Sequence, residues 1–296
     1  MRMRLMPVLA AAGAVGLLAG CGLASGSKNE TPDKAAAGPA SAAAPATVPV
    51  GKSFWYGGFK VTLGTATLTP AETRATVDID VTFENLGNDA RAFDGEVALT
   101  AGGNAYESDT RHLAPTVPPG AKTKGTLGFA LPKDAALTDA TLTVGVPTEQ
   151  QAIIPLGTTG TLKTLEPVAL TVTGQGKGGD LAVKVSGGEL RADNLKFYRQ
   201  LKSGKLALAL TFAVTYAGTN RGGFAFSARN NLFLQLPDST RVAPEDGPIE
   251  LLDEGSTEPD LTVYFEVSDP PAGTYALVVR DDRTKKEGTI PFTIQQ

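Results

Sequence analysis

The sequence predicts an all-β protein built from two β-sandwiches in tandem, and three observations carry that prediction. From residue 50 onward, apolar and polar residues alternate. Val77, Ile79, Val81 and Phe83 are separated by Asp78, Asp80 and Thr82, and Leu206, Leu208, Leu210, Phe212, Val214 and Tyr216 form a second such series. A period of two puts the apolar set on one face of a pleated strand and the polar set on the other, so these are half-buried strands. Clusters of Gly, Pro, Asn and Asp punctuate the runs, as turns do in a sandwich. Finally, the same series of strand patterns occurs twice. No stretch after residue 50 carries a long helical period, and Lys196 to Leu206 has room for one short turn of helix at most.

The chain starts with positive charge at Arg2 and Arg4, followed by an uncharged apolar run from Leu5 to Leu18. That is the layout of an export signal. The run is shorter than the roughly 20 apolar residues a membrane-spanning helix needs. It ends in Leu18-Ala19-Gly20-Cys21, which resembles the lipobox of bacterial lipoproteins. The resemblance implies that Leu18, Ala19 and Gly20 are recognised by a signal peptidase. It further implies cleavage before Cys21 and a thioether-linked lipid on its thiol. Cys21 is the only cysteine, so it has no disulfide partner within the chain, and a lipidated thiol needs none. Residues 1–20 are read as the signal peptide. The expected location is the extracytoplasmic face of the cell membrane, held there by lipid.

Residues 21–49 read as the lipidated cysteine and a flexible tether rich in Ala, Gly, Ser, Pro and Thr. Without aromatic and with few branched apolar residues, such a segment cannot bury enough surface to offset its ordering entropy. The whole chain has a formal net charge of −4. Loss of the two leader arginines makes the mature chain more acidic. A nucleic-acid partner is excluded on this ground, because phosphate binding needs a basic face.

Two sandwiches follow, over residues 50–160 and 165–296. Phe59, Val61 and Leu63 match Leu181, Val183 and Val185. Val77 to Phe83 match Leu208 to Val214. Leu127-Phe129-Leu131 matches Val263-Phe265-Val267, and Ile154-Pro155-Leu156 matches Ile290-Pro291-Phe292. The conserved order points to a tandem duplication with its boundary near residues 157–167. Each copy follows its long central strand with a Gly-containing turn, Asn85 to Asn88 or Ala217 to Asn220, then an apolar strand and a Phe-x-Leu/Val strand. This grammar resembles the immunoglobulin-like domains of uncharacterised function found on lipoproteins of Gram-positive type. The resemblance implies an immunoglobulin-like fold and an envelope location, and it carries no activity.

Few residues form a pattern that chemistry could use. His112, the only histidine, lies in a polar loop and reads as solvated. Gly174 to Gly179 lacks the Gly-Lys-Ser/Thr ending of a phosphate loop and reads as a turn. Asp238 to Asp260 is rich in carboxylates, of which Asp246, Asp253 and Glu254 are weak candidates for Ca²⁺, since hard cations take oxygen ligands. Their spacing fits no EF-hand, and a solvated acidic loop is the favoured reading. Arg191 to Arg229 is basic and contains Phe197-Tyr198. It faces either anionic lipid or wall polymer, or the acidic stretch of its own half, the second being favoured. Trp55, Tyr56, Tyr198 and Arg199 are the candidate binding residues, although Phe54-Trp55-Tyr56 reads first as a plug for the open end of a sandwich.

No convergent acid–base set appears, so the chain is read as non-enzymatic and without a cofactor. The expected function is a membrane-anchored binding or scaffolding module toward an envelope protein or wall component. The alternative is a ligand carrier or Ca²⁺-binding carrier. An α/β solute receptor is excluded by the lack of βαβ signals.

Overall fold

The computed structural model describes residues 44–109, 114–268, 270 and 272–294. Leu18, Ala19, Gly20, Cys21 and His112 lie outside the described residues. From residue 44 the described chain belongs to one compact unit. It is almost entirely β-strand, in several antiparallel sheets, with one short helix among the described residues.

The first half runs β1 (Ala46–Pro49), β2 (Ser53–Tyr56), β3 (Phe59–Pro70), β4 (Arg74–Asn85), β5 (Arg91–Ala92), β6 (Val97–Ala101), β7 (Asn104–Glu107), β8 (Thr116–Val117), β9 (Lys122–Pro132), β10 (Thr141–Val144) and β11 (Ala152–Pro155). One sheet has the order β1-β3-β4-β9 with β2 also on β3. A second has the order β11-β10-β6-β7, and β5 pairs with β8. The alternation seen in the sequence becomes burial: Val77, Ile79 and Phe83 lie in the core, together with Phe59, Val61 and Leu63 from β3 and Leu99, Leu142 and Ile154 from the facing sheet. Burying each such side chain stabilises by roughly 1.5–3 kcal/mol.

The second half runs β12 (Val168–Leu170), β13 (Gly174–Gly178), β14 (Leu181–Arg191), β15 (Asp193–Asn194), β16 (Arg199–Gln200), β17 (Lys205–Tyr216), β18 (Phe224–Ser227), α1 (Ala228–Asn231), β19 (Leu232–Gln235), β20 (Arg241–Val242), β21 (Ile249–Leu252), β22 (Thr257–Ser268), β23 (Gly273–Arg280) and β24 (Glu287–Ile294). Its large sheets have the orders β12-β14-β17-β22, with β13 on β14, and β24-β23-β19-β20; β18 pairs with β21. Every strand of the first half therefore has a counterpart in the same place in the second. Even the register irregularity recurs, between Leu63 and Ala66 in β3 and between Val185 and Gly187 in β14. Each half has its own large hydrophobic cluster.

The exception to the repeat lies between β14 and β17. The matching strands of the first half, β3 and β4, are joined by a tight turn at 71–73. In the second half residues 192–204 intervene and form the small β15–β16 ribbon, hereafter the arm. The arm folds back over the outer face of its own sheet. Leu201 and Leu195 cover Ala207, Ala209 and Tyr264 there.

One expectation about a boundary changes. Ala46–Pro49, read as the end of the tether, is a strand paired with Thr65–Leu68. A strand this exposed shows no apolar alternation, and its order comes from the ladder alone. Between the halves, Ile153 and Lys163 exchange two backbone hydrogen bonds, and Trp55 N–H donates to the Thr164 carbonyl at 2.9 Å, which ties that segment to the first half.

Candidate functional site

The arm inserts into the first half and fixes the most informative surface of the molecule. Its centre is Tyr198, held at φ 51° and buried. The ring lies against Gly58 and Gly87. A Cβ on Gly58 would stand 2.7 Å from Tyr198 Cδ1, and one on Gly87 would overlap the ring. The Tyr198 hydroxyl accepts the Asp89 N–H and donates to the Asp89 carbonyl, and Arg91 stacks on the outer face of the ring at 4.6 Å. The turn that receives the ring is built by Asn85. Its amide donates to the carbonyls of Asp89 and Val117, and its oxygen accepts the Gly87 N–H. The Asn-x-Gly turn in the sequence thus has two jobs: Asn85 shapes it and Gly87 leaves room for a tyrosine from the other half.

Backbone groups left open by the first half are closed by side chains of the arm. Gly58 N–H donates to Asp193 Oδ2 at 2.7 Å, and Gly57 N–H to Gln200 Oε1 at 3.0 Å. Gln200 in turn donates to the Gln150 carbonyl at 2.9 Å. Gln150 N–H donates to Leu201, and Ser203 N–H to Thr148. Asp193 takes Arg191 Nε on its other oxygen at 2.8 Å, and Arg191 also bonds Glu189. Burial disfavours the Arg191 charge, but Asp193 and then Glu189 outweigh it and hold its pKa above the ordinary value.

Beside the arm lies an open cleft of about 590 Å³ between the halves. It is lined by Tyr56, Asp94 and Glu149 from the first half and by Phe197, Arg199 and Glu245 from the second, with Tyr198 in its wall. Tyr56 donates to Glu149 Oε2 at 2.5 Å. Burial, reinforced by that carboxylate, holds the Tyr56 phenol well above its ordinary pKa, so it stays protonated and acts as a donor. Arg199 is bound to Glu245, and to Glu266 at 3.3 Å.

Three of the four candidate binding residues, Tyr56, Tyr198 and Arg199, therefore meet in one cleft. Trp55 does not. It alternates with the buried Phe54 and Tyr56 along β2, lies half-buried on the outer face and carries Lys60 Nζ 4.9 Å above its ring. Phe54 and Tyr56 pack edge-on against Phe93. Glu149 and Asp94 had no signal in the sequence, because only the docking of the halves brings them beside the arm.

The acidic and basic stretches of the second half meet, in part, as expected. Lys196 Nζ lies 2.5 Å from Asp246 Oδ2, Arg199 reaches Glu245, and Arg229 donates to the Glu245 carbonyl. The metal candidates do not converge. Asp246 is engaged by Lys196 beside the arm. Asp253 and Glu254 sit in the β21–β22 turn next to Tyr216, where Gly255 N–H donates to the Tyr216 carbonyl. Asp246 pairs instead with Tyr264, which lies opposite Ala209, about seven residues or roughly 20 Å along β17 from Tyr216. Among the described residues no group of three or more His, Cys, Asp or Glu is placed to hold a metal ion.

No family model matches the chain, and no curated protein matches it. Among solved structures, the chain is similar to the crystal structure of a conserved hypothetical protein from Bacillus anthracis. The identity is 17% and the TM-score 0.30, over 37% of this chain and 96% of that one.

Proposed function

We propose that this protein is a lipoprotein held on the extracytoplasmic face of the cell membrane through lipid on Cys21. We read its body as tandem immunoglobulin-like β-sandwich domains that arose by duplication. It acts as a non-enzymatic binding or scaffolding module toward another envelope protein or a wall component. The anchor rests on the leader, in which two arginines, a short apolar run and Leu18-Ala19-Gly20-Cys21 occur in the order of an export signal and lipobox. The observation that carries the binding role is the arm: a segment that the first half lacks joins the halves through buried polar contacts and leaves an open cleft at the seam. A seam of this kind holds two surfaces in fixed relation, as a scaffold requires.

Glu245 pairs with Arg199 and Glu149 accepts the Tyr56 hydroxyl, an arrangement that favours recognition over acid–base chemistry. The calcium-carrier alternative loses its donor set, since Asp246 is engaged by Lys196 and lies far from Asp253 and Glu254. The test is metabolic labelling with a radiolabelled fatty acid. The wild-type protein takes the label and partitions with membranes. Cys21→Ala remains an unlabelled, uncleaved precursor, and unchanged labelling would refute the anchor.

A further inference from the structure

We propose that the cleft between the halves receives a lysine side chain from a partner polypeptide, with its ammonium group taken by Asp94 and Glu149 and its alkyl stem lying on Phe197. The proposal rests on the binding-module reading above and names the chemistry of its partner.

Phe197 is the starting observation. It is 46% exposed, the one aromatic among the exposed large hydrophobic side chains of the described chain, and it lines the cleft. It is not on a loose loop. Asn194 Oδ1 accepts the N–H groups of Lys196 at 3.0 Å and Phe197 at 3.4 Å. The next residue, Tyr198, is wedged into the first half. The ring is thus presented in a fixed position, so a partner would lose little entropy of this surface on binding it.

Charge supplies the second part. The sequence alone makes this region basic, but the fold reverses the sign at the cleft. Lys196 is held by Asp246, and Arg199 by Glu245 and Glu266. Arg91 lies over the Tyr198 ring and pairs with Asp94 at 3.4 Å, and the Asp94 side chain is 67% exposed. Glu149 receives a neutral phenol and, among the described residues, makes no ion pair. The charged side chains that line the cleft are thus three carboxylates, Asp94, Glu149 and Glu245, against one cation, Arg199, beside an aromatic face. An anionic polymer is repelled there, whereas a cation is attracted by both features.

Lysine fits better than arginine. Asp94 and Glu149 come from separate segments and line the same cleft, so they offer two separate carboxylates. A compact ammonium with three rotatable donors suits that set, while a planar guanidinium fork suits a single carboxylate. The alkyl stem has an apolar surface to match the Phe197 ring.

The test is fluorescence anisotropy of a labelled acetyl-Gly-Lys-Gly-Lys-Gly peptide titrated with the full-length protein. The double variant Asp94→Asn/Glu149→Gln should bind roughly tenfold more weakly, and Phe197→Ser several-fold more weakly. A control, Asp253→Asn/Glu254→Gln, removes the same charge at the β21–β22 turn and should bind as the wild type does. Circular dichroism confirms that each variant is folded. The proposal is overturned if wild type does not bind at about millimolar protein, or if the control loses as much affinity as the cleft variant. It is also overturned if putrescine competes as strongly as the peptide, which would make the occupant a free amine. Fatty-acid labelling at Cys21 does not depend on these variants, so a failure here leaves the anchor standing, and the reverse also holds.

Discussion

Tyr198 of the second half occupies the space that a side chain at Gly87 of the first half would fill. This contact couples a strained residue in an inserted arm to a turn residue more than a hundred positions earlier, and it makes the two halves one mechanical body. Without the arm, each half would keep its own core, but the contacts of Tyr198, Asp193 and Gln200 that join them would be lost.

Substitution at this contact gives the first prediction. Gly87→Ala forces the ring or the turn to move, and overpacking of this kind costs about 1–3 kcal/mol. Tyr198→Phe keeps the packing but removes the hydroxyl that serves Asp89, leaving a part-buried N–H without its partner at a cost of about 1–3 kcal/mol. Denaturant unfolding monitored by circular dichroism measures both. Midpoints within error of the wild type would show that the seam adds no stability.

The buried pair beneath the arm should be more sensitive. Asp193 joins Arg191 to Gly58 across the halves, and both side chains are buried. Asp193→Ala leaves the buried arginine with Glu189 alone and the Gly58 N–H open. Loss of one partner of a buried pair costs about 3–5 kcal/mol. The double variant Arg191→Met/Asp193→Ala should recover part of that loss, because no charge remains to be buried. A double-mutant cycle in the same unfolding assay decides it.

Acid should destabilise the second half first. Asp246 loses some affinity for its charge through burial, but Lys196 and the Gly247 N–H more than compensate, so its folded pKa lies below the ordinary carboxylate range. Asp281 is lowered likewise, by the N–H groups of Asp180, Thr284 and Arg283 acting against burial, and Glu287 is lowered by Arg241. A depressed folded pKa contributes stability that is present above the unfolded value, about pH 4. That stability is lost as pH falls through the folded values. Melting temperatures recorded downward from pH 5 should drop, and Asp281→Asn should flatten the drop. An unchanged slope in that variant would refute its role.

Base should act through the tyrosines. Tyr56, Tyr264 and Tyr275 all have folded pKa values raised, in each case chiefly by burial. A raised folded pKa gives stability that is full below the unfolded value, about pH 10, and is lost as pH rises toward the folded one. Absorbance of these three tyrosinates should therefore appear together with unfolding rather than before it. Glu149→Gln should let Tyr56 ionise at lower pH.

The sequence by itself determined the strands and the repeat. Alternation in Val77–Phe83 and Leu208–Val214 fixes which face is buried, because a pleated strand has no other way to separate apolar from polar side chains. Short-range rules also placed the turn at Asn85 to Asn88. The weakly patterned Ala46–Pro49 gave no such signal, and its place in the sheet comes from backbone pairing with Thr65–Leu68. Sequence also listed Tyr56, Tyr198 and Arg199 without a reason to group them. Only tertiary structure decided that they share a cleft, that Glu149 joins them, and that the charge there is negative although the arm is basic. The physical reason is that ion pairing and side-chain burial are contacts between residues distant in the chain. Lys196 with Asp246 and Tyr198 with Gly87 are neighbours only because residues 192–204 fold back across the seam.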